Sequence, residues 1–482
     1  MAELIAPLVT ASVFLPLAAA AVVAKIGDES RSRGIAVNAA GVSLLCSIET
    51  LREVMRAGGA ALAEPWSLSP FSVGQLGAAP MVLFAAIALV TLMVAPRRDT
   101  DRRFLVSALI LLSSTLAAYA ADNLIVFFAA WIGSATPFLR GTKDWRGGRI
   151  FRLNLIAGAV SLAAAVTLIE VTGARAGATA PLSISELSAA GDTGGPLALA
   201  LLMLAAILHS GLFPAHRIVM GAFDGAPILL SALSMNSQLG VFLIARVALS
   251  LFPELAADAL PWLSGLALFT SVYTALLGIV ERDPRRLLSI IMVSQCSAIL
   301  AGLAAGSPEG YTGALVQWIV VALASTALIS IYRSVEARIG GNPGSLRFLG
   351  LAAQMPRLAV FFAVSGLALI GLPGTLGFAG QHLLVHGMLA AHSWWGVALP
   401  IAIALNAYHV FVLFTHLFLG KPVFSRSSVP DALPRERWAL SAFIVLLIWG
   451  GLAPDRVVAL REIAVGAVSR AHGEPGSTGP GK

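Results

Sequence analysis

The sequence predicts an all-α integral membrane protein, a helical bundle crossing the bilayer about fourteen times. Hydrophobic residues make up 57% of the chain and charged residues only 12%, about half the charged share of a soluble globular protein. The apolar residues collect in runs such as 105–121, 199–213, 260–280, 358–372 and 438–452. These approach or reach the ~20 residues that cross a hydrocarbon core of ~30 Å. They lack the two-residue alternation of a barrel strand, so helices are the only way to satisfy their backbone in lipid.

Taken in order, spans are expected at 4–24, 34–50, 78–95, 104–121, 123–139, 153–173 and 196–213. They continue at 226–249, 260–280, 286–305, 311–332, 357–392 with an interruption, 395–419 and 438–452. The first run starts almost at Met1, with Glu3 and no basic flank, and reads as a retained span. The tail from Val457 would add one surface helix, and its end, HGEPGSTGPGK, is too rich in Gly and Pro to fold alone. Cys46 and Cys296 lie inside apolar runs and read as small core residues, with no disulfide or metal role.

Lys and Arg are distributed in register with this count. Loops after odd-numbered spans hold 24 of them, including Arg97, Arg98, Arg102 and Arg103, then Arg140, Lys143, Arg146, Arg149 and Arg152. Loops after even-numbered spans hold three, Arg52, Arg56 and Arg175. Positive charge marks the cytoplasmic side, so both termini are expected outside, in a multi-pass protein of a bacterial inner membrane. The sequence pI near 9.9 then belongs to topology, and no nucleic-acid partner is expected.

Two spans carry helix breakers. FPAHRIVMGAFDGAP, 213–227, contains Pro214 and Pro227, and GLPGTLGFAG, 371–380, contains Pro373 and Gly374. At membrane depth such backbone survives only inside protein or beside water. Two breaks five spans apart have opposite orientations, the arrangement of an inverted-repeat transporter. The expected divisions are 1–100 for the first three helices, 101–250 and 251–420 for two inverted five-helix repeats, and 421–482 for the last helix and tail. Each break taken singly also reads as an ordinary proline kink.

No P-loop, dinucleotide fingerprint, Cys cluster or paired-acid motif is present. Polar residues inside apolar helices are therefore the candidates. His209 and His216 flank the first break; Gln381, His382 and His386 follow the second; His409 and His416 lie in the thirteenth span. Histidine both accepts and donates protons near neutral pH, so a row of His, Gln and water could relay them. The plainer reading of each is a neutral ring bonded to a carbonyl, favoured for His416 and His392 near helix ends.

Four segments carry a family resemblance. DPRRLLSIIMVSQ, 283–295, contributes Asp283, Arg286, Leu287, Leu288, Ser294 and Gln295. Residues 209–246 contribute Pro214, His216, Ala226, Pro227, 231–233, Gly240 and Arg246, and DNLIVFFAAW, 122–131, and GLPGTLGFAGQHLL, 371–384, complete the set. Together they resemble the antiporter-like membrane subunits of respiratory complex I, related hydrogenases and multisubunit sodium/proton antiporters. The resemblance, over about residues 80–420, implies fourteen helices with two inverted repeats. It also implies a role in proton or sodium translocation within a hetero-oligomer of NADH:quinone oxidoreductase type. No cofactor is expected in this chain.

The departures fall on the family's charged axis. Ile132 follows Trp131 where the family has Glu. Its lysines correspond here to His209, Gln238, and Ser325 or Thr326, and the acid or base of its twelfth helix to Gln381. The proton-path candidates are thus His209, His216, Gln238, Ser325, Thr326, Gln381, His382, His386 and His409. Two other readings stand beside translocation. One is the membrane subunit of a two-component inorganic-carbon uptake system driven by a cation gradient; the other is a non-conducting scaffold. The charge count makes one prediction. A cysteine placed in the 140–152 loop should resist a membrane-impermeant thiol reagent in intact cells and react in inverted vesicles. Labelling from outside would overturn the orientation.

Overall fold

The structure is a computed structural model that describes residues 2–57, 62–63, 71–141, 148–175, 182–190, 194–422 and 430–459. The expected surface helix of the tail lies largely outside the described residues. The first half contains α1 (Ala2–Val23), α2 (Glu29–Arg56), α3 (Gln75–Val94), α4 (Arg102–Ala120), α5 (Leu124–Gly141) and α6 (Gly148–Arg175). A short α7 (Ile184–Ala190) precedes α8 (Gly195–Ser210) and α9 (His216–Gly225). Then α10 (Ile228–Asn236), α11 (Leu239–Leu243), a π-helical turn (Ile244–Ala248) and α12 (Leu249–Leu251) run on as one interrupted rod. The second half contains α13 (Pro253–Leu277), α14 (Pro284–Leu303), α15 (Pro308–Ile339), α16 (Pro356–Leu369), α17 (Leu376–Ala391), α18 (Ala398–Phe418) and α19 (Pro434–Leu452). A two-residue hairpin, β1 (Leu62–Ala63) with β2 (Ser72–Val73), joins α2 to α3. Among the described residues nine helices are long and apolar enough to cross a membrane, joined by four shorter apolar ones.

Side-chain oxygens begin the helices. Asp28 caps α2 through the Ser30 and Arg31 N–H groups, which, Arg31 first, hold its carboxyl below the usual range. Asp101 caps α4, Asn123 α5, Asp283 α14 and Ser307 α15. Arg33 closes the far end of α3, donating to the carbonyls of Leu92, Met93 and Ala95 at 2.9–3.1 Å.

The bundle has a buried axis and a one-sided rim. Helices α14 and α15 are enclosed nearly all round, whereas α2, α6 and α18 bury one face. Lipid supplies no hydrophobic drive between helices, so close contact depends on small residues. The α15–α17 seam shows this. A Cβ added at Gly380 would lie 2.8 Å from Gln317 Oε1, one at Gly313 2.4 Å from the Leu384 N, and one at Gly387 2.0 Å from the Gly310 N.

Charge gathers at the end to which the basic loops were assigned. Glu336, fully buried, accepts both Arg285 Nε (2.6 Å) and Nη2 (2.8 Å), and Arg333 Nη1 at 2.9 Å. Arg333 also grips Asp99 through two bonds of 2.5 Å. Arg98 donates to the Glu336 carbonyl, Arg338 pairs with Glu436 at 2.6 Å, and Arg286 with Asp224 at 2.9 Å. The network ties the α3–α4 loop, α9, α14, α15 and α19 into one belt.

Two expectations change. The seventh span ends at Ser210, not 213, because Gly211 adopts the left-handed conformation (φ 68°) and stops the helix. The eighth span, expected unbroken over 226–249, is interrupted at Ser237 and Gln238, where Gln238 is left-handed (φ 47°). Neither proline nor glycine marks that break; tertiary hydrogen bonds hold it.

The buried belt sets a stability prediction. Glu336→Ala leaves Arg285 without its carboxylate partner and Arg333 with Asp99 alone, and should cost about 3–5 kcal/mol in denaturant titration of the purified protein. Glu49→Ala, removing an exposed pair with Arg52, should change less than about 1 kcal/mol. Equal effects would show that the belt is not stabilising.

Candidate functional site

A helix broken inside a membrane leaves carbonyls that need new donors. At the first break Gly211 and Leu212 N–H both turn to the Ile207 carbonyl. Asn154 Nδ2 of α6 donates to the Leu208 carbonyl at 3.0 Å, and the Phe213 N–H reaches Thr270 Oγ1 of α13 at 3.0 Å. The Phe213–Pro214 peptide is cis, and α9 begins two residues later.

His209 closes α8 against the Trp131 ring, with centroids 4.4 Å apart. It lines a small cavity of about 30 Å³ together with Asn154, Ser231 and Ser234. That volume holds a water or two among polar partners. At the N-terminal end of α10 lies a wider vestibule of about 380 Å³, lined by Asp99, Asp101, Arg103, Arg285, Arg333 and Pro227. Ile228, Leu229 and Leu230 face the vestibule, whereas Ser231, Ser234 and Met235 face the cavity. Helix α10 thus lines the vestibule with its first turn and the cavity with the turns that follow.

From the end of α10 onward, neutral polar side chains form separate hydrogen-bonded groups in the interior. Asn236 Nδ2 bonds Ser325 Oγ and Thr326 Oγ1 of α15, each at 3.0 Å. Tyr119 donates to the Ser237 carbonyl, and Gln238 Nε2 donates to Cys296 Sγ of α14 at 2.7 Å. These bonds hold a non-glycine residue in a conformation costing of order 1–3 kcal/mol. Gln317 donates to Gln295 Oε1 at 3.3 Å. At the second break Gln381 Nε2 satisfies the Leu369 carbonyl at 2.9 Å. Gly371 there has φ 79°, and a Cβ on it would lie 2.1 Å from Gln381 Oε1. A side branch joins Asn406, Ser294 and Ser271.

The structure buries Gln238, Ser325, Thr326 and Gln381 in this interior and leaves His209 half-buried at the end of α8, against Trp131. It places the other candidates elsewhere. His216, 2% exposed, stacks on Phe213 and meets Tyr273 edge to face. His409 bonds the Ala275 carbonyl at 2.7 Å, a plain structural contact. His382 and His386 stand exposed on the outer face of α17. His416 lies on Phe348 and bonds the Val412 carbonyl. Sequence reading missed Asn154, Asn236, Cys296 and Gln317. The two asparagines were visible as uncharged polar residues within apolar runs.

Membrane-length helices, together with three interrupted spans lined by buried polar groups, define a polytopic helical membrane protein. Residues 121–405 match the family described as NADH:quinone oxidoreductase/Mrp antiporter, transmembrane. Subunit 13 of NADH-quinone oxidoreductase from Thermus thermophilus is 28% identical over 446 residues, covering 87% of this chain and 90% of that one. Subunit M from Rhodobacter capsulatus is 24% identical over 487 residues, 93% of each chain. A chain of Thermus thermophilus respiratory complex I superposes with a TM-score of 0.84 at 23% identity, covering 97% of this chain and all of that one. A chain of the Mrp complex from a Dietzia species gives 0.81 at 19%, covering 98% and 100%. The chain belongs to this family of antiporter-like membrane subunits.

The second break predicts a graded response. Gly371→Val combines φ strain with a clash into Gln381 and should destabilise the purified protein by more than about 2 kcal/mol. Gly374→Ala, also at positive φ (89°) but in open space, should cost about 1 kcal/mol. The reverse order in a thermal-stability assay would contradict the geometry.

Proposed function

We propose that the chain is a proton-translocating subunit of a multisubunit membrane complex of the NADH:quinone oxidoreductase type, with an attenuated charge axis. The observation that carries this is His209. Among the positions where the family resemblance implies a charged group it is the titratable one, and it sits at a helix break beside a water-sized cavity, with α10 running from that cavity to a charged vestibule. Family membership and relatives that are subunits of such complexes support the setting. The matched broken pairs, α8 with α9 and α16 with α17, support two inverted repeats over 101–250 and 251–420. The basic belt at one end supports fourteen crossings with both termini outside.

Mechanistically, neutral amides and hydroxyls do not hold a proton. They orient water and each other, and His209 supplies the group that charges transiently. Placing a charge at mid-membrane costs about 2.5–3.5 kcal/mol on insertion scales, and no carboxylate follows Trp131 to offset it. Transfer through this chain is therefore slower than through one whose axis keeps its acid and lysines. The same absence favours a second reading, a scaffold that no longer conducts.

The test is pH-gradient formation in inverted vesicles energised through the intact complex, beside native-gel assembly. His209→Ala should lower the rate by at least about tenfold with assembly intact, and His416→Ala should change neither. Assembly and gradient formation as in the wild type for His209→Ala would establish the scaffold reading instead.

A further inference from the structure

The second helix break reaches the surface of the chain in the middle of the membrane. Its depth follows from two registers. Helix α17 lies along α15 with Gly380 against Gln317 and Leu384 against Gly313. Continued inward, this sets Leu376 level with about Val321, the centre of the apolar stretch between Tyr311 and Tyr332. Independently, α19 starts at the charged belt through Glu436 and touches Gly374 and Thr375 with Gly451. Fifteen residues of helix put the break about 22 Å from that belt.

At this depth Leu372 is 43% exposed, and Pro373 and Gly374 are exposed as well. The exposure continues along α17 at intervals of one turn through Phe378, His382 and His386. His382, six residues beyond Leu376, lies about 9 Å from the midplane, within the ~15 Å half-thickness of the hydrocarbon. Lipid cannot receive either feature. Irregular backbone at membrane depth is tolerated only against protein or water, and intramembrane histidines face a partner or a polar interior.

We propose that the break and the Phe378–His382–His386 stripe form the docking surface for a transmembrane helix of a different subunit, one presenting a carboxylate to the two histidines. The rings of His382 and His386 have centroids 5.3 Å apart. A single carboxylate, with two accepting oxygens, can take a hydrogen bond from each ring. The same face of a second copy does not serve, because residues 371–391 contain no acid. An isologous contact would set histidine against histidine. The inference rests on the chain being a subunit of a complex, and not on whether it conducts.

The experiment is a photo-crosslinking residue in place of Phe378 in the complete complex in native membranes, with the product identified by mass spectrometry. The expected product joins a different chain within a helical turn or two of an Asp or Glu. His382→Leu and replacement of that acid by Leu should each lower recovery of the partner chain at least tenfold, and the double variant no further. Crosslinks to lipid alone, to a second copy, or to a helix without a nearby acid would overturn the proposal. A wild-type chain purified with no other subunit would overturn the complex reading itself, which keeps the two failures distinct.

Discussion

Within hydrocarbon, each backbone N–H and C=O must find a partner supplied by protein. The rest of the structure follows from that constraint. Continuous helices meet it alone, and the interesting parts of this chain are where they do not. At the first break Asn154 and Thr270 supply hydrogen bonds to Leu208 and Phe213. At the second, Gln381 turns back to Leu369. At the Ser237–Gln238 junction Tyr119 reaches the freed Ser237 carbonyl. The polar side chains of the interior are thus required by the backbone first, and any relay they form is built from groups already present for that reason.

Charge obeys a different rule. The network of Asp99, Arg285, Arg333 and Glu336 lies at one end, where water and paired ions share the desolvation cost. Inside, the positions at which the family resemblance implies lysine and glutamate hold Ile132, Gln238, Ser325 and Gln381. Replacing a charged axis by amides and hydroxyls preserves the fold, because each finds a neighbour: Ser325 with Asn236, Gln238 with Cys296. It removes the strong electrostatic steps that make proton movement fast, and leaves His209 as the titratable group among the positions where the resemblance implies charge.

Much of this was legible in the sequence. Span positions followed from apolar run length, and the clustering of Arg98, Arg285, Arg333 and Arg338 in one belt agrees with the charge count over the loops. Both proline-marked breaks fell where Pro214 and Pro373 announced them. The interruption at Gln238 was not legible, because its conformation is imposed by Tyr119 and Cys296, residues distant in sequence. The candidate site was half visible. Residue type singled out the histidines, but only packing separates His209, turned to a cavity, from His382, turned outward. A helical face is assigned by its neighbours, and apolar helices show too little periodicity to reveal it.

One consequence of the Gln238 junction is mechanical. Helix α10 is nine residues long and bounded at both ends by non-helical joints, Ala226–Pro227 and Ser237–Gln238. A short rigid rod between two joints behaves as a lever with an arm of about 13 Å. Tilting it by about 5° at the vestibule end carries Asn236 through about 1 Å. That is enough to stretch its 3.0 Å bonds to Ser325 and Thr326 past the range in which hydrogen bonds hold. Any displacement of α10 at its vestibule end would therefore be felt first at the Asn236 contacts with Ser325 and Thr326.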